Sequence, residues 1–170
     1  MAIIFISIGS NQDAARQIRY GIKRLDEMFS HLKLSKVYES EAVGFEGDNF
    51  LNLVARAETQ MTIAQVELIF KAIEKEAGRR RDGVKFSDRA LDIDLLLYDD
   101  IICDRPIRLP RGEILYHAFV LQPLAEIEPD RQHPVVKKTY QELWQAFDKK
   151  EQQKLWAIDF DWQLEKGRKA

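Results

Sequence analysis

Residues 3–8 are mostly β-branched and apolar, and they run straight into Gly9-Ser10-Asn11, residue types that favour turns and helix caps. This pattern predicts a strand, a tight turn and a helix. From Asp13 to Phe29 the apolar positions Ile18, Ile22, Leu25, Met28 and Phe29 recur at helical spacing, with Arg16, Arg19, Lys23 and Asp26 on the other side. Leu32, Leu34, Val37 and Tyr38 predict a second strand. Phe50, Leu51, Leu53, Val54 and Ala55 predict a third, after a loop-like stretch from Glu41 to Asn49. Thr62 is placed to cap a helix through Ala77, apolar at Ala64, Val66, Leu68, Ile69, Phe70 and Ile73, with Gly78 as its stop. Ala90 to Tyr98 predicts a fourth strand, followed by short extended pieces near Ile101-Ile102 and Ile107–Leu109. Helices are expected from Phe119 to Glu126 and from Thr139 to Phe147. The tail is mostly polar apart from Leu155, Trp156, Ile158, Phe160 and Trp162, and Trp144, Trp156 and Trp162 are expected to be core or packing residues.

The order β-α-β-β-α-β is that of an α+β, ferredoxin-like fold, an antiparallel sheet covered by helices in a three-layer sandwich. With 170 residues, no internal repeat and no Pro/Gly/Ser linker, one domain is expected over 1–150, with 151–170 as an extension packed on it or trailing from it. A composition 45% hydrophobic and 32% charged, with 8 Gly and 5 Pro, excludes collagen-like and natively disordered classes. Lys+Arg 26 against Asp+Glu 28 leaves a net charge of −2, so no overall positive field draws the chain to nucleic acid or an anionic membrane. Cys103 is the sole cysteine, no signal peptide is evident and no stretch reaches membrane-spanning length. A cytoplasmic, monomeric protein without membrane or nucleic-acid partners is expected.

Strand alternation within Leu91-Asp92-Ile93-Asp94-Leu95 puts Asp92 and Asp94 on one face. Two carboxylates side by side repel, unless they face open water or share a cation. Mg²⁺ suits such a pair because it takes one or two carboxylates together with substrate phosphates. By itself the pair is more readily an exposed acidic edge. Arg79, Arg80, Arg81, Lys85 and Arg89, which lie just before it on a loop-like stretch, shift the balance, since guanidinium forks match phosphate oxygens. Gly9-Ser10-Asn11 offers backbone N–H groups to an anion, but lacks the features of a Walker or Rossmann loop. Phe50 and Asn52 share a strand face, and Phe119 opens a later helix, so a planar ligand could stack between two rings while Asn52 reads its edge.

In Ser7-Ile8-Gly9-Ser10-Asn11, Phe50-Leu51-Asn52, Gly78-Arg79, Arg89-Ala90-Leu91-Asp92-Ile93-Asp94-Leu95-Leu96-Leu97-Tyr98 and Ala118-Phe119-Val120-Leu121-Gln122-Pro123-Leu124 the chain resembles the 6-hydroxymethyl-7,8-dihydropterin pyrophosphokinases of folate biosynthesis. The likeness runs from Ile6 to about Phe147. It implies transfer of pyrophosphate from ATP to the hydroxymethyl group of the pterin, with AMP released. Two Mg²⁺ ions would be held by Asp92 and Asp94. Phe50 and Phe119 would sandwich the pterin, Asn52 would bond its edge, and Gly44 would lie beside it. Arg79 and Arg89 would stabilise the transferring group, and Glu74, Arg81, Lys85, Arg111 and His117 would serve ATP. The segment 79–89 would close as a lid.

The chain departs from that family's usual pattern in three places. Ser87-Asp88 stands where Gly-Pro is usual before the arginine. Arg111 and His117 stand where histidine and arginine are usual, which suggests that the two have exchanged duties. The loop Ser40-Glu41-Ala42-Val43-Gly44 lacks the usual prolines. Alternatives are a relative that binds pterin or nucleotide without turnover, a nucleotidyltransferase and an RNA-binding sheet. The 82 residues separating Ser10 from Asp92 argue against the nucleotidyltransferase, and the absence of an RNP-like motif argues against RNA.

Overall fold

The computed structural model describes residues 1–41, 49–78, 90–148 and 155–163. Gly44, Arg79, Arg81, Lys85, Ser87, Asp88 and Arg89 lie outside the described residues. The elements follow in the order β1 (Ala2–Ser10), α1 (Ala14–Met28), β2 (Ser30–Leu34), β3 (Val37–Ser40), β4 (Phe50–Thr59), α2 (Ile63–Ala77), β5 (Asp92–Tyr98), α3 (Glu113–Tyr116), α4 (Ala118–Ile127), α5 (Tyr140–Ala146) and β6 (Leu155–Ile158). The strands form one antiparallel sheet in the order β5-β1-β4-β3-β6, with β2 also paired to β4. This is the ferredoxin-like α+β arrangement expected from the element order.

Alternation along the strands sorts the core into two layers. Ile4, Ile6 and Ile8 of β1, Leu51, Leu53, Ala55 and Ala57 of β4, and Ile93 and Leu95 of β5 point to one face. There they pack with Ile18, Ile22 and Leu25 of α1 and Val66, Phe70 and Ile73 of α2. Phe5, Val54, Leu96 and Leu97 point to the other face, against Val120, Leu121 and Leu124 of α4 and Tyr140 of α5. A shift in register between Phe5 and Ile6 puts both Leu96 and Leu97 in this second layer. Each fully buried isoleucine, leucine, valine or phenylalanine among these stabilises the fold by about 1.5–3 kcal/mol relative to exposure.

Local signals fix the α2 ends. Thr62 and Gln65 form a capping box, with Gln65 N–H donating to Thr62 Oγ1 at 3.2 Å and Thr62 N–H to Gln65 Oε1 at 2.8 Å, and Gly78 ends the helix. Other expectations are corrected. The second strand is two, β2 and β3, because Ser35 between them bonds Val54 of β4 through both its backbone N–H (2.9 Å) and its Oγ, which accepts from Val54 N–H at 3.0 Å. The fourth strand begins at Asp92 rather than Ala90. Instead of two further extended pieces there is a single bridge between Cys103 and Leu109, and α3 was not expected. The tail supplies β6, paired with β3, and its Trp156 is 38% exposed. Trp162 is 37% exposed and packs edge-on against Phe160, so both tryptophans are packing residues at the surface and not core residues.

Candidate functional site

α1 and α2 cover their face of the sheet along its length, whereas α4 covers the opposite face at one end of the strands. At the other end Ser7 and Gly9 of β1, Phe50 and Asn52 of β4, and Asp92, Asp94 and Leu96 of β5 face a cavity of about 360 Å³. Ser40 of β3 borders one side. Arg111, Glu113 and His117 from the segment before α4, with Phe119 and Val120 from its first turn, close the rim. The fold thus gathers Phe50, Asn52, Asp92, Asp94, Arg111, His117 and Phe119, from two strands and a rim segment, around one space. Such a volume falls within the range of small-molecule sites.

Close approach at the floor depends on a glycine. Gly9 is opposite Asn52 in the β1–β4 register, and a Cβ at position 9 would overlap the Asn52 side-chain oxygen. Asn52 is buried, so its amide lies flat over β1 because nothing projects there. The neighbouring Ser10 turns its hydroxyl to the Ala90 carbonyl, tying the end of β1 to the residue before β5. The turn expected to present N–H groups to an anion therefore works as a tie, and only Gly9 of the triplet lines the cavity. The N-cap of α1 is Asp13, in a left-handed conformation and without a side-chain capping bond.

Alternation holds along β5: Asp92 and Asp94 face the cavity while Ile93 and Leu95 enter the α1/α2 core. Burial raises the Asp94 carboxyl above the usual carboxylate range, Arg111 opposes this, and Glu113 adds to it. Arg111 donates its backbone N–H to Leu96 O at 3.0 Å and its Nε to Leu95 O at 3.0 Å. Its Nη2 lies 3.8 Å from Asp94 Oδ1 and its Nε 3.7 Å from Glu113 Oε2. His117 takes a different partner, stacking on Phe119 with ring centroids 4.9 Å apart and planes 20° from parallel. Arg111 and His117 thus border one cavity, the arginine on its acidic side and the histidine on its aromatic side.

Glu74 is not among the residues lining the cavity. It sits on α2 beside β5, an edge strand, where its carboxylate accepts the Ile93 N–H at 2.7 Å. Burial pushes its carboxyl up to about 7, against the pull of that hydrogen bond, and the charges of Asp92, Asp94 and Glu67 add to the rise. Glu67, two turns earlier on the same face of α2, was not singled out from the sequence. Its Oε1 is buried with no hydrogen-bond partner among the described residues, and burial raises its carboxyl against the opposing charges of Arg111 and Lys71. A hint was available, since Glu67 and Glu74 are seven residues apart on a helix and must share a face. Ser7 and Ser40 were missed as well, although period-two alternation from Gly9 already points to Ser7.

Residues 5–129 match the model of the 7,8-dihydro-6-hydroxymethylpterin-pyrophosphokinase (HPPK) family. Over 146 residues the chain is 39% identical to the 2-amino-4-hydroxy-6-hydroxymethyldihydropteridine pyrophosphokinase of Aquifex aeolicus (strain VF5), a span of 84% of this chain and 91% of that protein. It is 32% identical over 136 residues to the protein of the same name from Porphyromonas gingivalis (strain ATCC 33277), covering 76% of this chain and 92% of that one. The folic acid synthesis protein fol1 of Schizosaccharomyces pombe is 32% identical over 152 residues, which make up 20% of its length. Among solved structures, a Plasmodium falciparum HPPK-DHPS triple mutant with STZ-DHP superposes with a TM-score of 0.69 at 12% identity, over 85% of this chain and 43% of that longer one, a likeness of fold alone. Similar in sequence over most of its length and in shape over its sheet and helices, the chain belongs to the 7,8-dihydro-6-hydroxymethylpterin-pyrophosphokinase family.

Proposed function

We propose that this chain transfers pyrophosphate from ATP to the hydroxymethyl oxygen of 6-hydroxymethyl-7,8-dihydropterin and releases AMP, a step of folate biosynthesis. The observation that carries this reading is the joining of two chemistries in one cavity: the paired carboxylates Asp92 and Asp94 on one side, and Phe50, Asn52 and Phe119 on the other. Planar rings hold a bicyclic heterocycle by stacking, and a buried amide with one acceptor and two donors reads its polar edge. The relatives from Aquifex aeolicus and Porphyromonas gingivalis carry the name of this activity.

In this reading the pterin hydroxyl attacks the β-phosphorus, the bond from that phosphorus to the oxygen bridging to the α-phosphorus breaks, AMP leaves with the electron pair, and the hydroxyl proton passes to solvent. No side-chain nucleophile is needed, because positioning and charge stabilisation carry such transfers. Asp92 and Asp94 supply hard oxygen donors of the kind Mg²⁺ takes, and burial raises the proton affinity of Asp94 while the Arg111 charge opposes the rise. When bound there, Mg²⁺ would neutralise phosphate charge. Arg111 is placed to meet the polyphosphate above the aspartates, and His117 with Phe119 forms the aromatic wall that orients the pterin. Arg79, Arg81, Lys85 and Arg89 belong to this proposal as further phosphate-binding groups.

The test is direct. Purified protein incubated with ATP, Mg²⁺ and the pterin should yield AMP and pterin diphosphate in equal amounts, and Asp94→Asn should lower turnover at least a hundredfold. ADP or free pyrophosphate as product would assign a different reaction, and pterin binding without AMP would make the chain a non-catalytic binder.

A further inference from the structure

Arg111 is built into the strand that carries the aspartates. Two bonds to the β5 backbone, from its N–H to Leu96 O and from its Nε to Leu95 O, fix where its guanidinium stands. Its side chain is three-quarters covered, 25% exposed, against 50% for that of Asp94. The guanidinium lies between Asp94 at 3.8 Å and Glu113 at 3.7 Å, and its charge offsets that of the half-buried Glu67 on α2. Lys71 offsets Glu67 too, but Arg111 is the described cation in an ion pair with a cavity-facing aspartate.

This placement has opposite consequences for two forms of a divalent cation. A bare ion approaching Asp94 meets a fixed positive charge close to the oxygen it would bind. An ion already wrapped in a polyphosphate carries net negative charge, and the same guanidinium attracts it while donating to phosphate oxygens. We propose that Arg111 is the resident counter-ion of Asp94, weakening the site's hold on a bare divalent cation and favouring a cation that arrives bound to polyphosphate. The inference rests on the reading of Asp92 and Asp94 as the metal-holding pair.

The experiment measures Mn²⁺ binding to the whole protein with no nucleotide present, from the electron paramagnetic resonance signal of the free ion. Arg111→Gln should tighten Mn²⁺ binding about fivefold, the size of effect a half-exposed ion pair supports. Glu113→Gln should loosen it, because the guanidinium then leans on Asp94 alone; Glu113 is 48% exposed, so this change leaves the core untouched. Lys71→Gln, which removes a cation that faces Glu67 instead, should change binding less than twofold. With ATP added in equal amount to the metal, the order reverses, and Arg111→Gln binds the Mn²⁺–ATP complex several-fold more weakly than the unaltered protein.

The proposal is overturned if Arg111→Gln binds bare Mn²⁺ no tighter than the unaltered protein, if Glu113→Gln tightens it, or if Lys71→Gln has an equal effect, which would show a general field in place of a specific counter-ion. The reading beneath it fails separately, if Asp94→Asn leaves Mn²⁺ binding unchanged.

Discussion

Replacing Glu74 by glutamine should make the protein more stable at neutral pH while leaving its acid stability unchanged. The carboxylate accepts the Ile93 N–H at 2.7 Å, an edge-strand donor that would otherwise lack a partner in the sheet, and glutamine keeps an oxygen for that bond. What glutamine removes is the charge. Burial raises the Glu74 carboxyl from 4.5 to about 7, so between those values the folded protein retains a proton that the unfolded chain has lost. Stability must then fall as pH rises through that window and level off above it. Full linkage over this interval is about 3 kcal/mol at 1.36 kcal/mol per tenfold change in proton affinity. The carboxyl keeps partial access to solvent, which screens the effect to roughly half, about 1–2 kcal/mol. Urea unfolding followed by tryptophan fluorescence at pH 4.5, 6, 7 and 8 reads the difference. Glu74→Gln should match the unaltered protein at pH 4.5 and exceed it by about 1–2 kcal/mol at pH 8. A difference that does not vary with pH, or a variant less stable at pH 8, would refute the reasoning.

Other outcomes follow from the same geometry. Gly9→Ala should push the Asn52 amide off the cavity floor and lower pterin affinity at least tenfold by fluorescence titration, at a stability cost of about 1 kcal/mol. Thr62→Ala removes the Oγ1 that accepts the Gln65 N–H in the α2 capping box and should cost about 1 kcal/mol in urea unfolding, with no change in KM for either substrate. Phe119→Ala deletes one ring wall together with its His117 stack, so KM for the pterin should rise more than KM for ATP, as steady-state kinetics with each substrate varied would show.

What the sequence made legible is what local chemistry decides. α2 could be drawn to its end residues because Thr62, the apolar repeat and Gly78 are each readable without knowing the fold. The pairing of Asp92 with Asp94 on one face followed from alternation, as did the sharing of a face by Phe50 and Asn52. β6 could not be read in this way, because Leu155–Ile158 becomes a strand by pairing with β3, over a hundred residues earlier in the chain. The break between β2 and β3 is of the same kind, set by the bonds of Ser35 to Val54. α3 spans four residues, too few for a helical period to register. In the site, the identity of Arg111 and His117 was apparent from the sequence, but their division of labour was not. It is set by the Leu95 and Leu96 carbonyls that anchor one and the Phe119 ring that carries the other. Glu67 and Glu74 acquire their raised carboxyls only from the packing of α2 beside β5.

The account turns on Asp92 and Asp94 acting together on a metal-bound polyphosphate at the open end of the sheet. A crystal structure of the protein with Mg²⁺, a non-hydrolysable ATP analogue and the pterin examines this most directly. Carboxylate oxygens of both residues should lie about 2.0–2.1 Å from Mg²⁺, with the pterin between Phe50 and Phe119. A metal held elsewhere, or the two aspartates meeting only solvent while the nucleotide sits outside the cavity, would contradict it.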